Sequence, residues 1–225
     1  MPHKFGSLLR RLRRDRLKSE EIGAIDPWSV RSKSLGRAER LGYRVNTKWP
    51  LLQLPTDIRT TKEIVDHIGN LHAINSILKG TDRAVVTKWL EEHVGPDSFP
   101  NQKSQEDPRA LAESIWTLMW GVKLVRRFDF AVEASEDLQF MLPDIKANEP
   151  MFFLSDRAKL RPASVIFHQL DLAHCITWSI QEAKEHGFRT PKDVEPWVFE
   201  RRLEALAWLL KEGEWDAIHA GEMSN

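Results

Sequence analysis

The chain has 225 residues, of which 41% are hydrophobic and 29% are charged, a composition that excludes an intrinsically disordered chain. Lys plus Arg and Asp plus Glu both total 33, so no net charge draws the protein towards nucleic acid or an anionic membrane. The lone Cys175 excludes an internal disulfide and favours a reducing compartment. Since no apolar run has the length of a membrane span and no secretory signal opens the sequence, we expect a cytoplasmic protein without a membrane span.

Residues 1–27 are predicted to form a basic, amphipathic N-terminal arm. Apolar side chains recur there at helical spacing, and they are Phe5, Leu8, Leu9 and Leu12. The candidate binding residues of the arm are Arg10, Arg11, Arg13 and Arg14. Such a cluster would bind phosphates or an acidic partner, but no aromatic side chains for base stacking are interleaved with it, so nucleic acid is not the expected partner. The alternative is that the arm packs by its apolar stripe on its own domain.

Residues 28–220 are predicted to form one helical domain. Its first helix is expected from Val30 to Leu41, ahead of an extended stretch that is broken by prolines. Thr60 and Glu63 have the spacing of a capping box, which begins the second helix. Gly80 is expected to end that helix.

Asp82 is predicted to begin a third helix, which ends at Gly95. The polar, proline-containing residues near 95–107 are expected to form a mobile loop. The pair Asp107-Pro108 then begins a core helix whose wide apolar face includes Trp116 and Trp120.

The C-terminal part is dominated by two long predicted helices, after a less regular stretch with a short helical run from Ser135 to Leu142. The first runs from Pro162 to His186 and is apolar on nearly every side, which predicts a central position. The second spans about Pro196 to Glu212. With nine tryptophans in the chain and no alternating strand pattern, the sequence predicts an all-α fold, a single compact irregular helical bundle with a Trp-rich core.

Several short fragments follow one another in a fixed order along the chain. They are Val30–Ser34, Arg59–Thr60 with Glu63, Glu113 ahead of Leu118–Gly121, Leu170–Leu172 followed by Trp178, and Glu200–Arg202, Ala205–Leu206, Trp208–Leu209 and Trp215–Asp216. In this order they resemble the bacterial family catalogued as domain of unknown function 4272, over roughly residues 28–218. The chain departs from the family pattern at His67 and Cys175, where Arg is expected. Because that family has no established activity, the resemblance implies a fold and not a reaction.

Three residues of the long helix form a candidate metal site. His168, Asp171 and His174 follow one another at three-residue steps and lie towards one side of the helix. Histidine and carboxylate side chains are typical ligands of zinc and iron. The alternative is that Asp171 accepts hydrogen bonds from a buried Arg or an amide, and we prefer it because the spacing matches no established metal-binding motif. The sequence therefore predicts no metal and no cofactor.

A second group is a candidate polar core or pocket, and its members are Glu113, Asp171, His174, Glu200, Arg201 and Glu204. If the carboxylates converge in a wet pocket, differing burial would let them divide acid and base roles. In the structural alternative, which we favour, Arg201 or Arg202 bridges the carboxylates and fixes the register of the helices. The observation that separates the two is whether these side chains share a solvent-reachable pocket or end in closed ion pairs.

Two functions remain open on the sequence. No nucleophile motif, phosphate loop or dinucleotide fingerprint is present, and Cys175 lies within an apolar helical run that makes a thiol inert. The leading hypothesis is a non-enzymatic module that binds another protein, such as an immunity or accessory protein that neutralises a toxin. The alternative is a metal-dependent or carboxylate-based hydrolase, whose residues would be His168, Asp171, His174, Glu200 and Glu204.

Overall fold

The computed structural model describes residues 21–95, 107–191 and 194–211. Eight helices lie wholly within these ranges, which contain no strand. They are α1 (Pro27–Arg40), α2 (Thr61–Leu78), α3 (Arg83–His93), α4 (Pro108–Gly121), α5 (Leu138–Met141), α6 (Phe152–Arg157), α7 (Ala163–His186) and α8 (Pro196–Leu209). The predicted all-α fold is confirmed. None of the helices in the described part of the chain is both long enough and apolar enough to cross a membrane.

Two regions singled out in the sequence fall largely outside the described residues. The predicted basic arm is described only from Glu21 onwards, so Arg10, Arg11, Arg13 and Arg14 lie outside. The predicted loop near 95–107 is described only at its two ends.

Polar side chains cap the starts of helices α1 to α4. At α2 the Thr60 hydroxyl accepts from the backbone N–H of Glu63 at 3.2 Å, and the Glu63 carboxylate accepts from the N–H of Thr60 at 2.6 Å. This is the predicted capping box, which satisfies two N–H groups that the helix leaves without partners. Helix α1 begins at Pro27, three residues before the predicted start, because Asp26 caps it and proline fits the first helical position.

The chain clusters into two units. The first comprises Met1–Arg59, Pro162–Thr190 and Ala207–Asn225, and within it α1 packs on α7. The second comprises Thr60–Arg161 and Pro191–Leu206, and within it α2 packs against α3, α4 and α6. Helix α8 is divided between the two units after Leu206.

Tryptophans occupy the interior of each unit, as the composition predicts. In the first unit Trp49 and Trp208 are buried, and the Trp49 ring meets Trp178 edge to face at 6.0 Å. In the second unit Trp89 and Trp120 are buried. Because indoles bury more apolar area than any aliphatic side chain, these rings contribute much of the hydrophobic stabilisation.

Candidate functional site

Asp171, which both sequence hypotheses included, is held in a closed ion pair in the first unit. From α7 its carboxylate accepts from Arg31 of α1, with the Nη2–Oδ1 distance at 2.7 Å and the Nε–Oδ1 distance at 3.0 Å. Arg31 also donates to the backbone oxygen of Trp49 at 3.1 Å. Both charged side chains are buried. Arg31 thus supplies charge-assisted hydrogen bonds to both oxygens of the Asp171 carboxylate.

The neighbours of Asp171 are kept uncharged by burial. Burial, followed by the charge of Arg31, lowers the pKa of His174 to about 4, and the His174 ring lies 5.4 Å from that of Trp178. Burial, together with Asp171, raises the pKa of the Cys175 thiol to about 12, which makes it unreactive as the sequence predicts. Burial also lowers the pKa of His168. Among the described residues, no three His, Cys, Asp or Glu side chains are grouped to hold a metal ion.

Glu113 forms a second closed ion pair, in the second unit. Its partner is Arg202 of α8, whose Nε lies 2.9 Å from Oε2 of Glu113. Arg202 also donates at 2.6 Å to each of two backbone oxygens, those of Asp129 and Val132. The second carboxylate oxygen of Glu113 accepts from the backbone N–H of Ala134. This arrangement holds the connection after α4 against α8, and each guanidinium nitrogen of Arg202 and each carboxylate oxygen of Glu113 takes part in a hydrogen bond.

The remaining members of the predicted polar group lie apart from these pairs. Arg201 donates to Glu204 at 2.8 Å, an i,i+3 pair on α8 that is partly exposed. Glu200 is exposed. Asp171 and His174 belong to the first unit, whereas Glu113, Glu200, Arg201 and Glu204 belong to the second. The structure thus places the two buried carboxylates of the group in arginine pairs.

The second unit also contains a cleft of about 1080 Å³ that is open to solvent. One wall is a face of α2 with His72, Asn75 and Lys79, and another is a face of α4 with Arg109, Glu113 and Trp116. Residues between 127 and 142, and Trp197 of α8, complete the lining. Trp116 and Trp197 are half-buried. Indoles of this kind offer a large apolar face and a polar edge to a ligand.

Two residues that line this cleft, Asn75 and His72, each carry a solvent-inaccessible acceptor that has no partner in the described residues. Asn75 is 6% exposed, and its Oδ1 accepts no hydrogen bond there. On the preceding turn, Nε2 of His72 lies 2.8 Å from the backbone oxygen of Pro143. Because a carbonyl oxygen accepts only, Nε2 carries the proton, and Nδ1 is left as an acceptor that also has no described partner. Burial lowers the pKa of His72, which keeps the ring neutral.

A cation and an indole lie together at the start of α4. The Arg109 guanidinium is 5.2 Å from the centre of the Trp197 ring, and its Nη2 donates to Glu133 at 2.9 Å. Arg109 remains largely exposed. In the lining of the cleft, Arg109 therefore makes a cation–π contact with Trp197 and a charge-assisted hydrogen bond with Glu133.

Comparison with family models decides the membership of the chain. The model described as Domain of unknown function (DUF4272) matches residues 31–218, which is most of the sequence. The chain belongs to this family. Comparison with curated proteins returns no match, and comparison with solved structures returns none either.

The DUF4272 fragments recognised in the sequence coincide with the buried charges. The buried charged side chains of the described residues are Arg31, Arg59, Glu113, Asp171 and Arg202, and each stands in one of those fragments. Arg59 fits the same pattern, since its Nε donates to the backbone oxygen of Trp208 at 2.9 Å and its guanidinium stacks on that indole at 4.2 Å. In this DUF4272 member these fragments thus contain the buried charged side chains that form ion pairs and hydrogen bonds inside the fold.

Apart from Glu113, which belongs to the predicted polar group, the residues of the cleft were not singled out as a site from the sequence. His72 and Asn75 flank the buried stripe of α2 one turn apart, and Arg109 and Trp116 stand on α4. The available signal was the presence of polar side chains next to an apolar stripe, which is common on helices and specifies no partner. Trp197 lies in the C-terminal part of this DUF4272 chain, and no local sequence pattern predicts that it lines the cleft.

Proposed function

We propose that this DUF4272 member is a non-enzymatic binding module that holds a segment of another protein in the cleft of its second unit. The observation that carries the proposal is the cleft itself, which is lined by two half-buried indoles and an exposed arginine. Trp and Arg are the residue types that dominate the binding energy of protein interfaces. A volume of about 1080 Å³ slightly exceeds the usual range for small-molecule pockets, which favours a polypeptide segment.

The chemistry of the carboxylates supports a binding function over the hydrolase. Asp171 and Glu113 are each engaged by a buried arginine, and Glu200 is exposed on α8. A general base needs a carboxylate that can accept a proton from a substrate, and these two accept from guanidinium groups instead. The pairing therefore favours the structural interpretation of the polar group.

The proposed biological role is that of an immunity or accessory protein against a toxin, located in the cytoplasm. A helical body with a preformed cleft can cover a surface of another protein without chemical turnover, and little ordering entropy is lost when the cleft is rigid. The basic arm, with Arg10, Arg11, Arg13 and Arg14, would then add attraction to an acidic surface of the same partner.

Site-specific photo-crosslinking in the source cells tests the proposal. A photoreactive amino acid replaces Gln139, which is exposed and lines the cleft, and in a control it replaces Lys88, which is exposed on α3 outside the cleft. We expect one discrete protein adduct at position 139 and none at position 88. No discrete adduct at position 139, or the same adducts at both positions, would contradict the proposal.

The toxin role has a separate test. The partner identified at position 139 is expressed alone and together with the full chain, and growth is measured. We expect growth arrest with the partner alone and rescue by co-expression. A partner that is harmless alone would overturn the toxin role, although binding in the cleft would stand.

A further inference from the structure

A second depression of the second unit, the apolar pocket, combines apolar side chains with two cations. It has a volume of about 330 Å³ and is lined by the end of α4 with the residues that follow it, by α5 and by α6. Its apolar lining residues are Met119, Leu124, Phe140, Met141, Phe153 and Leu154. The remaining described lining residues are Lys123 and Arg157, so none of those described is acidic.

A ligand can reach several of these lining residues from solvent. Phe140 is 80% exposed, more than any other large hydrophobic side chain of the described residues. Lys123 and Arg157 are exposed as well. An exposed aromatic ring that borders an apolar depression is typical of a surface that a binding partner covers.

Exposed cations are concentrated around the apolar pocket. The backbone N–H of Lys159 donates to the backbone oxygen of Val122 at 2.9 Å, so the chain that follows α6 lies against the end of α4. These two stretches carry four exposed cations, which are Lys123, Arg126, Arg157 and Lys159. None of the four forms an ion pair with another described residue. Their charge is therefore complementary to an acidic partner.

Charge and size narrow the choice of occupant. A second copy of this chain would place Lys123 and Arg157 opposite their own equivalents in a twofold interface, where like charges repel. The basic residues 1–27 of this chain carry the same sign of charge. An anionic membrane would attract the cations, but it presents no side chain to fill a concave pocket. A volume of about 330 Å³ is at the lower end of ligand pockets, which suits one large apolar side chain.

We propose that the apolar pocket binds an acidic segment of another protein that inserts one large apolar side chain. The inserted side chain packs against Phe140 and Leu124, and carboxylates beside it in the sequence pair with Lys123 and Arg157. This docking surface goes beyond the cleft and does not depend on the function proposed for it.

A peptide titration of the full chain, followed by NMR, tests this inference directly. The probe is the acetylated and amidated peptide Glu-Asp-Phe-Leu-Asp-Glu, and the backbone N–H resonances of Leu124 and Phe140 are observed. One control peptide has Gly in place of Phe and Leu, and the other has Gln and Asn in place of the acids. We expect saturable shifts with the probe and at least about tenfold weaker binding of each control. No saturable shift, or equal affinity for the three peptides, would overturn the inference.

Charge-reversal variants assign the binding to the apolar pocket. Arg157→Glu reverses an exposed cation of its lining, whereas Lys146→Glu makes the same change at an exposed position of the second unit outside that lining. We expect Arg157→Glu to weaken probe binding at least about tenfold and Lys146→Glu to leave it nearly unchanged. Equal weakening by the two variants would contradict the assignment, because overall charge would then explain the binding.

Alanine variants test the apolar contact. Phe140 and Trp28 are both largely exposed, at 80% and 71%, so neither substitution is expected to impair folding, and only Phe140 lines the apolar pocket. We expect Phe140→Ala to weaken probe binding at least about fivefold and Trp28→Ala to leave it unchanged. Unchanged probe binding by Phe140→Ala would contradict the inference.

Vesicles distinguish a protein segment from a membrane. The wild-type chain and the Arg157→Glu variant are sedimented with vesicles that contain equal parts of phosphatidylcholine and phosphatidylserine. We expect the same co-sedimentation of both proteins. Co-sedimentation that Arg157→Glu abolishes would show that this surface binds an anionic membrane, and it would overturn the inference.

Helix α5 lines both the apolar pocket and the cleft, yet the two proposals fail in different ways. If the probe causes no saturable shift but the adduct at position 139 forms, the inference is wrong and binding in the cleft stands. If the probe binds but no adduct forms at position 139, the proposal for the cleft is wrong and the apolar pocket remains a docking surface.

Discussion

At the residue scale, Arg202 shows what a buried ion pair does in this protein. It is fully buried, and removal of its side chain would leave the Glu113 carboxylate as an uncompensated charge in the interior. Arg202→Met is therefore expected to lower the free energy of unfolding by about 3–5 kcal/mol in urea titrations. The control Lys62→Met, which breaks the exposed pair with Asp66, is expected to cost at most about 1 kcal/mol.

The double variant tests the reason for this loss. With both Arg202→Met and Glu113→Met, neither charge is buried alone, so the loss is expected to be smaller than the sum of the two single losses. Additive losses in this double-mutant cycle would show that the two side chains stabilise the fold independently.

His174 gives the fold a dependence on pH. Because its folded pKa is about 4 and its ordinary value is 6.5, the unfolded chain binds a proton between these values that the folded chain does not. Stability therefore falls as the pH decreases from 6.5 to about 4, by at most about 3 kcal/mol from this group. The pKa values of His168 and His72 are also lowered, so these two groups likewise make the stability of the fold fall as the pH decreases.

The substitution His174→Gln removes one of these groups. Urea unfolding of both proteins at steps from pH 7 down to about pH 4 is expected to show a shallower loss of stability for the variant. Identical pH profiles would mean that His174 is protonated equally in the folded and unfolded chains.

At the element scale, two glycines are expected to respond in opposite directions to alanine. Gly36 lies inside α1, and a Cβ there would be 3.7 Å from Arg40, an ordinary contact. Gly36→Ala is thus expected to stabilise by about 0.5–1 kcal/mol. Gly187 ends α7 with φ at +71°, where Gly187→Ala is expected to destabilise by about 1 kcal/mol. Thermal unfolding of the two variants checks this, and shifts of the same sign would contradict it.

Local sequence signals predicted the described helices other than α6, but they did not predict the cleft. Caps such as Thr60 with Glu63 act within a few residues, so the sequence shows them directly. Arg31 and Asp171 are 140 positions apart, and one sequence does not show which of many arginines meets a given carboxylate. The cleft depends on faces of α2, α4 and α8 that border a gap. Helical periodicity predicts which face of a helix is buried, but it does not predict where the faces of neighbouring helices leave a cleft between them.

At the scale of the whole molecule, the scaffold and the proposed binding site share Glu113, which pairs with Arg202 and also lines the cleft, but they otherwise use largely different residues. The fragments that resemble the DUF4272 family contain the buried charges, including Arg31 and Arg202. Asn75, Trp116 and Trp197 of the cleft stand outside those fragments.

The most direct test of the central claim is the affinity of the partner crosslinked at position 139 for two tryptophan variants, measured by calorimetry with purified proteins. Trp116 lines the cleft, whereas Trp28 is 71% exposed on α1 of the first unit and serves as the matched control. We predict that Trp116→Ala weakens binding by about 30-fold or more, the loss typical of an interface hot spot, and that Trp28→Ala leaves the affinity unchanged. Unchanged affinity for Trp116→Ala, or a loss confined to Trp28→Ala, would contradict the claim that the cleft is the binding site.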